Sequence, residues 1–301
     1  MSLASRLPYD HPYAGGYPGI GSQPLPTDAD ALDYLARVKT ADGAGVETGV
    51  ATAVDAFFRD TKAAGVFDAL KACCILAGAR TLAGALVPVV GDAPANVADG
   101  FVEGDYSRTS GLTGDGATTY LDSGRANNAD PQNDKSLAAY ISVLSTSAAA
   151  VRWSIGDSGN TVLGQDTSDK HYGRINDSEF SGPGSATPEL GFVGVNRSDS
   201  ANKNMRFGGV DYSIAANSVT PSSVNLFVFR RNEPNIPGYS DATLAFYSIG
   251  TSLSLEDLDT AVTNLIARLK FALLVGENPS GLDPDTINYI VSGYENGSTL
   301  Q

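Results

Sequence analysis

Turn-forming residues interrupt the chain about every eight to fifteen residues between Leu82 and Leu253, and this spacing limits the fold more than any other feature. Gly, Ser, Thr, Asn and Asp make the breaks, and short runs rich in β-branched and aromatic residues lie between them. Breaks this close leave room for short strands but not for helices of average length. The pattern therefore predicts an antiparallel β-sandwich. Its predicted strands are 137–146, 149–155, 190–195, 204–207, 210–214, 224–230 and 244–249.

Within this region, two dipeptides predict tight turns. Asp115-Gly116 lies between Leu112 and Tyr120, and Gly208-Gly209 lies between two predicted strands. Both favour two-residue β-hairpins. The run 225–229 (NLFVF) is almost continuously apolar, which indicates a strand that is buried on both faces or central in its sheet.

Helical periodicity precedes the β-rich region. Three helices are predicted: one that Thr27 or Asp28 caps and Gly43 ends, one from about Glu47 to Gly65, and a short one over 67–75. We expect them to form a small helical subdomain whose apolar stripes are core. After the β-rich region, Ser254 and Asp257 resemble a capping box before an apolar stripe that reaches Leu274, and Asp283 begins a last helix.

Residues 1–26 are rich in Pro and Gly, which excludes a helix or a central strand and predicts an extended arm. Amphipathic aromatic rings in such an arm are suited to grooves on another surface. Packing of the arm on its own domain is the alternative. The predicted partner-anchoring residues are Tyr9, Tyr13, Tyr17, Ile20 and Leu25. The predicted organisation is an arm (1–26), a helical segment (27–80), an antiparallel β-sandwich (81–253), and C-terminal helices with a tail (254–301).

Composition narrows the function. With 20 basic and 34 acidic residues, the net charge is −14, which disfavours nucleic-acid binding. No apolar run is long enough for a membrane span, and the N-terminus has no apolar segment typical of a secretory signal. Cys73 and Cys74 are adjacent, which is poor geometry for a disulfide, so we expect reduced core thiols made in a cytosol.

Gly156-Asp157-Ser158-Gly159 is similar to the nucleophile segment of chymotrypsin-type serine proteases. That chemistry needs a His beside the Ser and a carboxylate behind the His. The two histidines, His11 and His171, stand outside the order and motif of that family. A turn between strands uses the same residue types, so we expect a turn and predict no catalytic residue.

Acidic residues are frequent in the polar stretch that follows. Solvated loop charges are the favoured interpretation over the paired carboxylates of a glycosidase. Calcium is an alternative, because carboxylate and amide oxygens are its preferred ligands. The carboxylates in question are Asp157, Asp166, Asp169, Asp177 and Glu179, and the calcium ligands would be Asp166, Asp169, Asn176 and Asp177. No other cofactor is predicted.

Trp153 is the only Trp, and in strict alternation it shares a face with Val151 and Ile155. A core position is favoured over a sugar-binding platform. If this region binds a glycan, Trp153, Asp157 and Tyr172 are the candidate contacts.

Several segments together resemble a class of bacteriophage virion proteins. These segments are 55–58 (DAFF), 65–70 (GVFDAL), 111–122 (GLTGDGATTYLD), 132–134 (QND) and 137–140 (LAAY). That class carries a laminin-G or concanavalin-A-like jelly roll behind a short helical segment, with a helix after the last strands. The resemblance covers roughly residues 50–274, and 111–122 is its most specific part.

The resemblance implies a non-enzymatic structural protein of the virion, made in the bacterial cytoplasm. Its sandwich would be displayed at the surface, as in a head decoration protein or a tail fibre or spike. The N-terminal arm would attach it to capsid or tail proteins, and a homo-oligomer, with a trimer favoured, is expected. The alternative is a carbohydrate-binding or receptor-binding tail protein that mediates host attachment. A glycoside-cleaving enzyme is a third hypothesis, without a nameable carboxylate pair.

Overall fold

The computed structural model describes residues 25–97, 100–146, 151–166, 170–178, 190–233, 235 and 238–277. They form two antiparallel sheets and a helical layer, which confirms the predicted antiparallel β-sandwich. The helices are α1 (Ala29–Asp42), α2 (Thr48–Ala63), α3 (Leu82–Ala85) and α4 (Leu255–Glu277). The strands are β1 (Leu70–Ile75), β2 (Pro88–Val90), β3 (Ala95–Asn96), β4 (Tyr106–Ser107), β5 (Gly111–Thr113), β6 (Leu121–Ala126), β7 (Lys135–Val143), β8 (Val151–Gly156), β9 (Val162–Asp166), β10 (His171–Arg174), β11 (Gly191–Arg197), β12 (Asn202–Phe207), β13 (Val210–Ala215), β14 (Asn225–Val228) and β15 (Thr243–Gly250).

The two sheets differ in size and in what covers them. The nine-stranded sheet has the order β13-β12-β11-β7-β15-β1-β2, with β5 beside β15 and β4 beside β5. The six-stranded sheet has the order β10-β9-β8-β14-β6-β3. Leucine, isoleucine, valine and phenylalanine side chains from both sheets fill the space between them. The run around Phe227 forms β14 between β8 and β6, so its predicted central position is confirmed.

The prediction of a third helix over 67–75 is wrong. A short 3₁₀ turn, Phe67–Ala69, leads into β1, which pairs with β15 and β2. Cys73 and Ile75 pack toward the helices, whereas Cys74 packs into the sandwich core. Because both faces are buried, the strand is apolar at consecutive positions, and such a run has no period that separates it from a buried helix.

The helices cover the outer face of the nine-stranded sheet instead of forming a separate subdomain. Side chains of α1, α2 and α4 share one core cluster with residues of β1, β7, β11 and β15. Phe57 of α2, for example, meets Phe246 of β15 edge-on at 5.9 Å between ring centroids. The predicted boundary at residue 80 therefore divides a continuous core. A sheet with two apolar faces needs a second covering layer, and these helices supply it.

The predicted starts of α1 and α4 and the predicted end of α1 are confirmed, whereas α4 continues past Leu274 to Glu277. The Asp28 carboxylate accepts hydrogen bonds from the backbone N–H groups of Asp30 and Ala31, and Gly43 ends α1 with a positive φ of 72°. At the start of α4, the Ser254 hydroxyl accepts a hydrogen bond from the Asp257 N–H. None of the helices in the described residues is both long and apolar enough to span a membrane.

One of the two predicted hairpins is confirmed. Gly208 and Gly209, with φ of 57° and 72°, join β12 to β13 and place Phe207 opposite Val210. The prediction for Asp115-Gly116 is wrong, because the flanking strands β5 and β6 belong to different sheets. This segment is a crossover between the layers.

The adjacent cysteines are free and buried, as predicted. Burial raises the pKa of Cys74 to about 12 and holds that of Cys73 well above its ordinary value, so the reactive thiolate is suppressed. We expect neither thiol of the native protein to react with Ellman's reagent at mildly alkaline pH, and both to react after unfolding in guanidinium chloride. Rapid reaction of a thiol in the native protein would contradict this position for β1.

Candidate functional site

Of the predicted anchoring residues, only Leu25 is among the residues that the structure describes. Tyr9, Tyr13, Tyr17 and Ile20 lie outside the described residues, as does the helix predicted from Asp283. Leu25 is 75% exposed and lies just before α1.

Two of the three predicted glycan contacts, Asp157 and Tyr172, are buried. Trp153 lies in β8 opposite Gly164, and the register shifts between Trp153 and Ile155, which breaks the strict alternation. Its side chain lies outside what the structure describes. Asp157 is fully buried, and Tyr172 of β10 is buried beside Val162. Neither Asp157 nor Tyr172 presents a surface to a glycan, because other parts of the chain already cover both.

Asp157 instead organises the loop between β8 and β9. One carboxylate oxygen accepts hydrogen bonds from the backbone N–H groups of Gly159, Asn160 and Thr161 at 2.8–2.9 Å. The other accepts from the side chains of Asn127 and Ser222 at 2.9 and 2.7 Å. This is the predicted turn, but the expectation of a solvated charge is wrong here, since five donors replace water around the carboxylate.

Asp177 is a second buried carboxylate at the same end of the sandwich. It pairs with the Lys203 ammonium at 3.1 Å and with the Arg197 guanidinium at 3.5 Å, and all three side chains are fully buried. Burial lowers the pKa of Lys203, an effect that the Asp177 charge opposes. Asp177, one of the candidate calcium ligands, is thus already paired with two cationic side chains. The described residues contain no group of three or more His, Cys, Asp or Glu side chains that could hold a metal ion.

A third carboxylate completes this polar end. Asp130 accepts hydrogen bonds from Lys135 and Arg125. Burial alone would raise the pKa of Asp130, but the hydrogen bond from Arg125 and the charge of Lys135 outweigh it, and the net shift is downward. Lys135 also donates to the backbone carbonyl of Asn127 at 2.8 Å. The charged groups of Asp130, Arg125 and Lys135 therefore join segments of the chain inside the protein.

The outer face of the six-stranded sheet carries a different kind of cluster. We define the aromatic–arginine cluster as Tyr120, Phe227, Arg230 and Tyr239, all half-buried. The Arg230 guanidinium lies 4.7 Å from the ring centroids of both tyrosines and 5.6 Å from that of Phe227. The rings of Tyr120 and Phe227 are 4.8 Å apart. Sequence reasoning missed this cluster, because its members come from separate parts of the chain.

A strained backbone position sets the cluster in place. Phe229 has φ of 71°, and a bulky side chain in that region costs about 1–3 kcal/mol. This bend lets the consecutive side chains of Val228 and Phe229 both enter the core, leaving Arg230 beside Tyr120. Hydrogen bonds from Phe229 N–H to the Ser154 carbonyl and from Ser240 N–H to the Phe229 carbonyl, each 2.8 Å, hold the bend.

Polar groups adjoin the rings on the same face. Asp122 of β6 lies directly opposite Phe227 of β14, and paired residues of antiparallel strands share a face. The Asn225 amide donates to the two carboxylate oxygens of Asp122 at 3.0 and 3.2 Å. The outer face therefore combines aromatic rings with an oriented carboxylate and amide.

Residues 111–122, the segment most specific to the phage resemblance, form the crossover that delivers Tyr120 to this face. The Asp115 carboxylate accepts hydrogen bonds from the backbone N–H groups of Ala117, Thr118 and Thr119 at 2.7–2.9 Å. A Cβ on Gly114 would lie 2.0 Å from the Ser240 carbonyl oxygen. Glycine and aspartate are thus required by the path of the backbone between the sheets.

The sequence matches no protein-family model and no curated protein. Similar solved structures include Trypanosoma rangeli sialidase in complex with a difluoro-KDN, with 10% identity, a TM-score of 0.45, and coverage of 70% of this chain and 38% of that one. The same sialidase in complex with sialic acid has 13% identity and a TM-score of 0.35, with coverage of 44% of this chain and 23% of that one. Domain 4 of AbnA, a GH43 arabinanase from Geobacillus stearothermophilus, has 12% identity and a TM-score of 0.26, with coverage of 50% of this chain and 70% of that one. The chain thus spans well under two thirds of the sialidase chains.

Replacing Asp177 tests how much its buried ion pairs with Lys203 and Arg197 contribute to stability. In Asp177→Asn, Lys203 and Arg197 lose their buried counter-charge, and we expect a loss of about 3–5 kcal/mol in the free energy of unfolding, measured with urea. The matched control is Asp92→Asn, an exposed aspartate that follows β2, which should change this free energy by less than about 0.5 kcal/mol. Equal stabilities of the two variants would contradict the proposed pairing.

Asp115 predicts a pH dependence. Burial raises its pKa, but the hydrogen bonds from the Thr118 hydroxyl and from three backbone N–H groups together outweigh that effect, so the folded pKa lies below the unfolded one. Its contribution to stability is complete above the unfolded pKa of about 4 and is lost as pH falls toward the folded pKa. Urea unfolding should therefore show a shallower acid decline for Asp115→Asn than for wild type. Parallel declines would contradict this role.

Proposed function

We propose that the chain is a non-enzymatic structural protein of a bacteriophage particle, whose sandwich is displayed at the particle surface and attached to the head or tail through residues 1–26. The observation that carries the proposal is the segment 111–122. The residues that resemble phage virion proteins are those that build the crossover between the sheets, so the resemblance concerns the fold of the displayed module.

The buried charges support a structural role. Asp130, Asp157 and Asp177 lie in the interior, and their oxygens accept hydrogen bonds that join loops at one end of the sandwich. A carboxylate that acts on a substrate must be able to reach it. These three are instead suited to making a rigid module.

The start of α1 is suited to attachment. The backbone N–H groups of Thr27 and Asp28 each donate to the Asp55 carboxylate at 2.7 Å, and Lys62 pairs with Asp28 at 2.7 Å. Asp55 and Lys62 belong to α2, which packs on the core. An N-terminal arm that precedes α1 would therefore be connected to the core through these contacts with α2.

The proposed partners are capsid or tail proteins and further copies of this chain, with a trimer favoured. An arm that adds a strand or inserts tyrosines into a neighbour supplies contact area that offsets its ordering entropy. The location would be the virion, after synthesis in the host cytoplasm.

Deletion of residues 1–26 tests this attachment. The variant loses the segment with the predicted anchors but retains α1, so we expect its circular dichroism to match that of the full chain. Particles of the encoding phage should carry the full-length chain, detected by antibody labelling in electron microscopy, and should not carry the truncated chain. Light scattering of the free chains would show whether the arm also joins identical subunits. Unlabelled particles, or equal incorporation of both chains, would contradict the proposal.

A further inference from the structure

We infer that the aromatic–arginine cluster, with the adjoining Asp122 and Asn225, is a binding site for a neutral polysaccharide whose pyranose rings pack on Tyr120 and Phe227. Such binding does not depend on whether the chain belongs to a particle. It places the glycan contact on the outer face around β6 and β14, away from the buried residues Asp157 and Tyr172.

The two rings offer the apolar part of such a site. Tyr120 and Phe227 are half-buried neighbours on one sheet face, with a tilt of 37° between their planes. The C–H face of a pyranose is apolar and packs on aromatic rings. Partly exposed rings whose orientation is fixed by their neighbours supply this contact at a low entropy cost.

Arg230 holds the rings in a fixed arrangement. Its three guanidinium nitrogens donate hydrogen bonds to the Tyr239 hydroxyl and to the backbone carbonyls of Arg231 and Glu233. Its central carbon, Cζ, lies 4.7 Å from the ring centroids of both Tyr120 and Tyr239. These bonds and ring contacts hold the guanidinium in place, so the cluster is preorganised before a ligand arrives.

Asp122 and Asn225 offer the polar part. The Asp122 carboxylate accepts hydrogen bonds from the Gly124 N–H at 2.9 Å and from the Asn225 amide, which orients it beside Phe227. An ionised carboxylate has about four acceptor positions, so it can also accept from sugar hydroxyls. A site with aromatic rings beside a carboxylate and an amide matches the alternating apolar and hydroxyl surfaces of a pyranose.

Charge favours a neutral ligand over an anionic one. The net charge of −14 repels polyanions at long range, and Asp122 repels a ligand carboxylate at close range. The nearest cation, Arg230, already directs each of its nitrogens to protein acceptors.

The test is affinity electrophoresis of the folded full-length chain in gels that contain dextran, mannan or galactan, with polygalacturonate as the acidic comparison. Wild type should be retarded in at least one neutral gel. Phe227→Ala should raise the dissociation constant at least about tenfold, because one ring of the pair is lost. The matched control is Tyr212→Ala, which removes a half-buried ring stacked on Phe207 in the other sheet and should leave retardation unchanged.

Asp122→Asn keeps the shape of the site while it removes the charge and one acceptor oxygen, so it should also weaken retardation. This second variant keeps the test possible if Phe227→Ala fails to fold. Near-ultraviolet circular dichroism checks the fold of each variant. Absence of retardation in all neutral gels, retardation in polygalacturonate alone, or wild-type retardation of folded Phe227→Ala and Asp122→Asn would overturn the inference. Each of these results leaves the particle-labelling experiment unaffected.

Discussion

Burial of the nine-stranded sheet on both faces is the constraint on which the rest of the structure depends. Cys73 and Cys74 are neighbours in one strand, yet one contacts the helical layer and the other the second sheet. The sheet can remain apolar at consecutive positions only while both layers stay in place. This explains why α1, α2 and α4 share a core with the strands and why the chain cannot be divided at residue 80.

The layered arrangement also separates two kinds of polar chemistry. At one end of the sandwich, Asp157 is buried among hydrogen-bond donors and Asp177 is buried in an ion pair, and both hold loops together. On the outer face of the six-stranded sheet, Asp122 remains half-exposed beside aromatic rings. The buried groups account for the shape of the module, whereas the outer face offers groups that another molecule can contact.

The sequence predicts those elements whose pattern has one physical explanation. The strands β12 and β13, the Gly208-Gly209 turn and the cap at Asp28 were all predictable, because alternation, glycine pairs and capping side chains each favour one structure. β1 was not, since a run buried on both faces resembles a buried helix. The aromatic–arginine cluster was not predictable either, because Tyr120 and Phe227 become neighbours only through pairing of β6 with β14.

Native-state hydrogen exchange tests the three-layer account most directly. If the helices and both sheets share one continuous core, core amides of α2, β1 and β15 should exchange with the same opening free energy, equal to that of global unfolding. Exchange of the α1 and α2 amides at a much lower free energy, while β1 and β15 stay protected, would contradict the account. It would show that the helices form an independent unit.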